Sequence, residues 1–189
     1  MFNKIKSYAI WAKLTKQSVI IAFAITTFSF SGCILDAFDT LTQEIPYSMD
    51  VVVSGDGTNV EGTVTVNLND NDFYSKNQSK INNIELVKIA YKTKSVVPAD
   101  LSGNVTITVR QSNGTLIFQK NIPGARPSDY SVNPYELTLT QAEIQLANLY
   151  LSNLSNRQFT ATVTINTSTS GTKTLEAQVF VVFEMEYDL

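Results

Sequence analysis

Few residue types in this 189-residue chain could carry chemistry. It contains no histidine and a single cysteine, so a Ser-His-Asp triad, a Cys-His pair and a histidine-ligated zinc site are excluded. The sequence also has no Gly-rich phosphate loop and no Walker-type lysine motif. An enzyme built from this chain would depend on carboxylates, lysine or tyrosine. The composition therefore favours a non-catalytic protein, and no cofactor is expected.

The single cysteine, Cys33, follows an apolar run with a basic flank. Residues 1–32 contain four lysines and no acidic residue, and residues 18–30 are uncharged and mostly apolar. A membrane-spanning helix needs about 20 apolar residues, whereas the apolar region of a signal peptide takes roughly 7 to 15. The length of the run therefore predicts a cleaved export signal over residues 1–32 rather than a permanent anchor.

The apolar run ends in Phe30-Ser31-Gly32-Cys33. This motif resembles the lipobox of bacterial lipoproteins, which usually reads Leu, a small residue, Gly or Ala, then Cys; Phe30 is the departure. The resemblance covers only the leader and the cysteine. It implies that signal peptidase II cuts before Cys33 after the thiol has accepted diacylglycerol, and that a further acyl chain such as palmitate is added. The alternative is an ordinary buried free cysteine.

The residue after the cysteine bears on the choice of membrane. In enterobacterial lipoproteins an aspartate there retains the protein in the inner membrane, whereas this chain has Ile34. By that resemblance, we expect a cell-envelope protein held through lipid on Cys33 in the outer membrane of a Gram-negative bacterium. Two or more acyl chains are enough for stable attachment.

The charge changes sign after the leader. Four of the 14 basic residues lie in residues 1–32, so residues 33–189 carry ten basic residues against all 17 acidic ones, a net charge of −7. An acidic surface repels phosphate backbones, so no nucleic-acid partner is expected. With one cysteine, no intramolecular disulfide can form, and stability must come from packing.

Hydrophobic alternation predicts an all-β domain over residues 43–189, joined to the cysteine by a lipidated tether at 33–42. About seven segments carry strand patterns, with apolar side chains at every second position or, over residues 84–93, on both faces. Turn residues separate them, which is typical of an antiparallel β-sandwich. The segments begin near Ile45, Val60, Ile84, Val105, Leu116, Phe159 and Leu175. The last of them has the longest apolar row and should be paired along its length.

Local signals add one hairpin and one short helix to this fold. Asn113-Gly114 lies between two strand segments and predicts a type I′ turn. Thr140 and Glu143 have capping-box spacing, which predicts a helix from about 141 to 152. Its predicted buried stripe consists of Ala147, Tyr150, Leu151 and Leu154, with Ile144 as the leading position. A weaker helical pattern covers residues 74–82.

One acidic cluster could bind a cation. Asn69-Asp70-Asn71-Asp72 offers hard oxygen ligands of the kind that calcium prefers, with Asp56 as a further donor on a neighbouring turn. However, Asn and Asp also favour turns because their side chains bond to nearby backbone, and no EF-hand spacing is present. We therefore expect turns here and no metal.

The connection from Asn121 to Leu137 is the candidate binding loop. Three of the five prolines fall in it, which lowers the entropy cost of ordering it, and Tyr and Arg are favoured at contact sites. The alternative is a rigid crossover between sheets, with tyrosines packed as lids over the core. The side chains proposed for contact are Arg126, Asp129, Tyr130 and Tyr135.

Two classes of function remain. The first is a membrane-anchored, non-catalytic module that binds an envelope protein or gives structural support. A glycan is a weaker partner, because the only tryptophan, Trp11, lies in the leader. The second is a carboxylate-dependent hydrolase, for example one directed at glycans, which would need two facing carboxylates in a deep pocket.

Overall fold

The computed structural model describes residues 40–153 and 157–188. From Thr42 onward these residues belong to one folded unit. Its strands are β1 (Thr40–Asp56), β2 (Asn59–Asn67), β3 (Ile81–Val97), β4 (Gly103–Gln111), β5 (Leu116–Ala125), β6 (Tyr135–Glu136), β7 (Gln158–Asn166) and β8 (Thr172–Asp188), and its helices are α1 (Asp72–Asn77) and α2 (Gln141–Leu151).

The strands form two four-stranded sheets. The order is β1-β8-β3-β6 in the first sheet and β2-β7-β4-β5 in the second. The chain passes from one sheet to the other after β1, β2, β3, β5, β6 and β7, and only β4 and β5 are joined as a hairpin within one sheet. An eight-stranded double sheet with this order is a jelly roll. The predicted all-β antiparallel sandwich is confirmed.

The core lies between the two sheets and comes from the alternation seen in the sequence. Inward side chains of β7 and β8 are buried at every second position. Strand β8 lies between β1 and β3 in the first sheet, which confirms that the longest apolar row is paired along its length. Because both edges of β8 are covered, its 17 residues present no free edge for aggregation.

The long strands give the sandwich two separate ends. At the proximal end, where β1 begins, the Phe73 and Tyr187 rings meet edge to face at 5.5 Å and Leu68 N donates to Arg157 O at 3.1 Å. At the distal end, the turn after β1 meets the turn after β7, and Thr167 N donates to Thr58 O at 2.7 Å. Seventeen residues of β1 separate the two ends, which is about 55 Å of extended chain.

Helix α2 covers an open edge of the first sheet. Its capping box is present: Glu143 N donates to Thr140 Oγ1, and Thr140 N donates to the Glu143 carboxylate. Asn148 Oδ1 accepts from Leu86 N at 2.8 Å, on the side of β3 not paired with β8. The helix therefore supplies a partner for an edge that the two-residue strand β6 is too short to cover.

The buried side chains of α2 are Ala147, Tyr150 and Leu151, as predicted. Ile144 is only partly buried, and Leu154 lies outside the described residues.

Strand β3 matches its predicted form only in part. We expected both faces of residues 84–93 to be partly buried, and the consecutive residues Ile89, Ala90 and Tyr91 are all buried. Before them, the pairing with β8 shifts register between Leu86 and Lys88. This bulge resets the two-residue alternation, so Leu86 and Ile89 both point into the core while Val87 is 49% exposed.

Three other local predictions also need correction. The β4–β5 hairpin is confirmed, but its turn is not type I′, because Gly114 has φ +85° whereas Asn113 has negative φ. Gly114 N donates to Gln111 O and Gln111 N donates to Thr115 O, which is a type I turn closed by a left-handed glycine. Helix α1 covers 72–77 rather than 74–82, and β6 is an eighth strand too short to leave a sequence pattern.

The leader and most of the predicted tether, residues 1–39, lie outside the described residues, while β1 already begins at Thr40. Within the described ranges, no helix is long and apolar enough to cross a membrane.

Candidate functional site

The predicted binding loop is part strand and part crossover. Strand β5 continues to Ala125, a 3-10 turn follows over Pro127–Tyr130, and β6 then pairs with β3 in the other sheet. Ala125, Pro127 and Leu137 are buried, which fixes the path of the crossover at three points. The segment is therefore held against the sandwich, as the crossover alternative predicted, while some of its polar side chains still face outward.

A kink at the end of β5 directs the chain around Arg126. The pairing of β4 with β5 shifts register between Gly103 and Val105, and Gly124 has φ +60°, a conformation that favours glycine. Gly124 N donates to Asn104 Oδ1 at 3.0 Å. Asp129 N then donates to Arg126 O at 2.9 Å and closes the turn behind it. Arg126 is therefore exposed on a backbone held on both sides.

Arg126 lines a shallow groove of about 550 Å³ at the distal end of the sandwich. The groove lies where the end of β5 meets the β3–β4 and β7–β8 connections. Its lining is made of amide and hydroxyl side chains, glycine backbone and one guanidinium: Ser102, Gly103, Asn104, Gly124, Arg126, Asn166, Thr167 and Ser168.

Arg126 is the one charged side chain among the residues that line the groove. The guanidinium makes no ion pair or hydrogen bond within the described parts of the chain, in contrast to Arg110, which donates to Gly114 O at 2.9 Å. No carboxylate and no aromatic ring belongs to the lining. Such a site can bind an oxygen-rich ligand through hydrogen bonds and a charged fork. The residues that line it include no acid–base pair.

Lys173 holds the distal turns in place beside this groove. It is 3% exposed, and its Nζ donates to Gly57 O at 2.8 Å and Gly171 O at 2.9 Å. Thr167 Oγ1 donates to Thr169 O at 2.8 Å within the same turn. A buried ammonium that bonds two carbonyls ties the turn after β1 to the turn after β7. The groove is thus bordered by ordered loops.

Tyr130 behaves as a lid over the core. Its ring packs edge to face on the fully buried Tyr91 at 5.8 Å and on Tyr135 at 5.4 Å. Burial raises the pKa of Tyr91 to about 12, although its hydrogen bond with Thr93 opposes the shift. Burial, together with Tyr135 and Asp129, also raises the pKa of Tyr130. Both phenols therefore stay protonated at neutral pH.

The four predicted contact residues do not form one cluster. Tyr130 and Tyr135 touch each other, with Tyr135 39% exposed, whereas Arg126 lines the distal groove. Asp129 is exposed and is not part of the groove lining. The crossover thus carries two separate features: a tyrosine lid and an exposed guanidinium.

The Asn-Asp cluster is used for local structure. Asn71 Oδ1 accepts from Phe73 N and Tyr74 N at 3.0 Å and caps α1, and Asn67 Oδ1 accepts from Asn69 N at 2.9 Å. The prediction that Asp56 is a further oxygen donor to this cluster is wrong. Asp56 accepts a hydrogen bond from the Thr172 hydroxyl at the other end of β2. No group of three acidic, histidine or cysteine side chains within residues 40–153 and 157–188 could hold a metal.

Two other clefts among the described residues bear on the hydrolase alternative. The interior cavity is about 20 Å³ and has apolar walls, including Phe118, Phe159 and Phe183, so it is too small for a substrate. A cleft between β6 and α2, about 180 Å³, contains the single carboxylate Glu136, which pairs with Lys88 at 2.7 Å. None of these linings brings two carboxylates together.

The remaining groove residues were missed by sequence reasoning. Asn104, Asn166 and their neighbours appear in the sequence only as ordinary turn residues after or before strands. These residues lie close together because of the strand order, and the alternation pattern does not predict strand order. The lipidation site Cys33 and the cleavage motif lie outside the described residues.

No family model matches the chain, and no curated protein sequence matches it. Similar solved structures include those of Desmodium yellow mottle tymovirus (13% identity, TM-score 0.36), turnip yellow mosaic virus (12%, 0.42) and tobacco necrosis virus (8%, 0.37). Each alignment covers 79% of this chain, and 90%, 82% and 97% of the respective virus chain. These scores are too low to carry an argument about function.

Proposed function

We propose that this chain is a lipid-anchored, non-catalytic protein of the bacterial cell envelope whose jelly-roll domain binds a partner protein at its distal groove. The observation that carries the proposal is the order of the leader: lysines, an uncharged apolar run, then Phe30-Ser31-Gly32-Cys33. The resemblance to lipoproteins, together with Ile34, favours the outer membrane of a Gram-negative bacterium.

The layout of the described domain supports this arrangement. Strand β1 begins at Thr40, seven residues after Cys33, and the groove with Arg126 lies at the end where β1 finishes. A short tether would hold the proximal end near the membrane. The groove would then stand about 55 Å further out, the length of one long strand, where a partner can reach it.

The chemistry of the groove favours a protein partner over a glycan. Sugar rings are commonly bound by stacking on aromatic side chains, and the groove lining contains none. Amides, hydroxyls and one unpaired guanidinium instead suit a backbone segment that carries an acidic side chain. An acidic side chain on the partner would complete a fork with Arg126.

Co-purification from detergent-solubilised membranes tests this proposal. We expect Arg126→Met to reduce capture of the bound partner about tenfold or more, because the charged fork is lost, while the melting temperature stays within about 1 °C of wild type. Methionine keeps an unbranched apolar stem and removes the guanidinium. Capture would be followed by quantitative mass spectrometry.

The matched control is Arg110→Met, which removes a guanidinium bonded to Gly114 O at the proximal end of β4. This variant should leave capture unchanged. Tyr130→Ala should instead lower the melting temperature, because Tyr130 covers Tyr91. Equal capture by wild type and Arg126→Met would refute the distal groove as the binding surface.

A further inference from the structure

Arg157 is a buried cation without a hydrogen-bonded partner. The residue lies directly before β7 and is 4% exposed, and its Nε, Nη1 and Nη2 atoms are buried with no hydrogen bond. Burial lowers the pKa of its guanidinium. An unpaired buried charge is costly and is rare in folded proteins, so this arrangement calls for an acceptor that the described residues do not supply.

Tyr74 provides the only charge-compensating contact described for this group. The Arg157 guanidinium lies over the Tyr74 ring with its central carbon 5.0 Å from the ring centroid. Burial raises the pKa of Tyr74, which the nearby Arg157 opposes, so the phenol remains a donor at neutral pH. No hydrogen bond of the Tyr74 hydroxyl is found within the described parts of the chain. Two neighbouring side chains therefore offer donors and lack acceptors.

The position of this pair in the fold indicates the source of the acceptor. Arg157 O accepts from Leu68 N, and Tyr74 belongs to α1, so both residues lie at the proximal end, where β1 begins. Among residues 40–153 and 157–188, no acidic side chain contributes to the electrostatic environment of Arg157. If the proposed lipid anchor holds, this end faces the membrane, where phosphate groups of lipid headgroups are abundant.

We propose that Arg157 and Tyr74 form a binding site for a phosphate oxyanion at the proximal end of the sandwich. A guanidinium binds two phosphate oxygens in parallel, and a third oxygen can accept from the Tyr74 hydroxyl. Because the guanidinium is already removed from water, its attraction to an anion is weakly screened. Access to a residue that is 4% exposed requires local opening of this end.

Two sources can supply the phosphate oxyanion: free inorganic phosphate and the phosphodiester of a lipid headgroup. The site itself does not depend on the lipid anchor; only the headgroup source rests on the proposed function. The experiment therefore uses the full chain in a detergent without phosphate, with both probes as soluble compounds. They are inorganic phosphate and glycerophosphoglycerol, a headgroup without acyl chains.

Thermal unfolding measured against probe concentration at constant ionic strength tests the site. We expect the melting temperature of the wild type to rise by about 3 °C for each tenfold increase in phosphate above Kd, with chloride giving no such rise. Arg157→Met should abolish the rise and, in chloride alone, melt at or above the wild-type temperature, because a costly buried charge is gone. Tyr74→Phe should weaken the rise while keeping the ring.

Two further comparisons interpret the result. Arg126→Met, which removes the exposed guanidinium at the distal end, should keep the full response. A response to glycerophosphoglycerol assigns the site to lipid headgroups, and a response to inorganic phosphate alone assigns it to free phosphate. The proposal is overturned if neither probe stabilises the wild type beyond chloride. It is also overturned if Arg157→Met responds to the probes as the wild type does. If the methionine variant does not fold, Tyr74→Phe and Arg157→Lys replace it, and a wild-type response from both overturns the proposal.

Discussion

Replacing Gly62 with alanine is expected to lower the free energy of unfolding by about 3 kcal/mol or more, the upper end of the usual cost of overpacking. Gly62 lies in β2 where the second sheet passes close to β1 of the first. A Cβ at this position would stand 2.1 Å from Val52 O and 2.6 Å from the Val52 carbonyl carbon. Both atoms belong to the backbone, so no side-chain rotation relieves the clash.

The neighbouring strands prevent an easy adjustment. Gly62 is held opposite Val163 in the β2–β7 ladder, and β1 is paired with β8. Moving either backbone would disturb the pairing of that strand with its one neighbour in the sheet. The same contact explains the burial of a glycine among alternating valines: the two sheets meet here through their backbones.

Gly57→Ala is the matched control. Its added Cβ would lie 3.5 Å from the nearest atom, Asn59 O, which is ordinary contact, so stability should change by less than about 0.5 kcal/mol. Urea unfolding should therefore show a lower midpoint with an unchanged slope for Gly62→Ala alone. Similar midpoints for the two variants would contradict the described packing of β1 against β2.

The second large effect is expected for Lys120→Met, which should cost about 2 kcal/mol of stability. Lys120 Nζ lies 2.6 Å from Glu143 Oε2, with only 20% and 19% of the two side chains exposed. This pair joins β5 to the first turn of α2, and its loss leaves a partly buried carboxylate without a countercharge. The control, Lys88→Met, breaks the 2.7 Å pair with Glu136, whose side chains are 49% and 64% exposed, and should cost less than about 0.5 kcal/mol.

The dependence of this pair on pH gives an independent measurement. Burial by itself raises the pKa of Glu143, but hydrogen bonds from Lys120 and Thr140 outweigh it, and the pKa lies below its ordinary value of 4.5. The stability contributed by the ionised carboxylate is therefore present above about pH 4.5 and lost as pH falls through the folded pKa. Glu143→Gln should be less stable than wild type at pH 7, with the difference narrowing in acid. A difference that is constant or that grows in acid would contradict this assignment.

Much of the sandwich could be predicted because burial in a half-covered sheet leaves a two-residue pattern. The inward rows of β7 and β8 and the capping box of α2 follow directly from side-chain chemistry. Strand order could not be predicted, because neighbouring strands in a jelly roll come from distant parts of the chain. The two-residue strand β6 and the bulge at Val87 also left no pattern that distinguishes them from a loop or from a covered strand.

The candidate sites, too, could be predicted from the sequence only in part. Arg126 could be singled out by its residue type and its proline-rich surroundings, but Asn104 and Asn166 join it only through the three-dimensional arrangement. Arg157 drew no attention in the sequence, since a lone arginine before a strand is ordinarily solvated. Its burial over Tyr74 is a property of the folded chain alone.

The central claim, a lipid anchor on Cys33, is tested most directly by intact mass spectrometry of the native protein isolated from membranes. We expect a mature chain that begins at Cys33 and carries the added mass of diacylglycerol and a further acyl group, recovered in the membrane fraction. Cys33→Ser should remain an uncut precursor without lipid, because the thiol is the acceptor. An unmodified mature protein that begins at another residue would contradict the account.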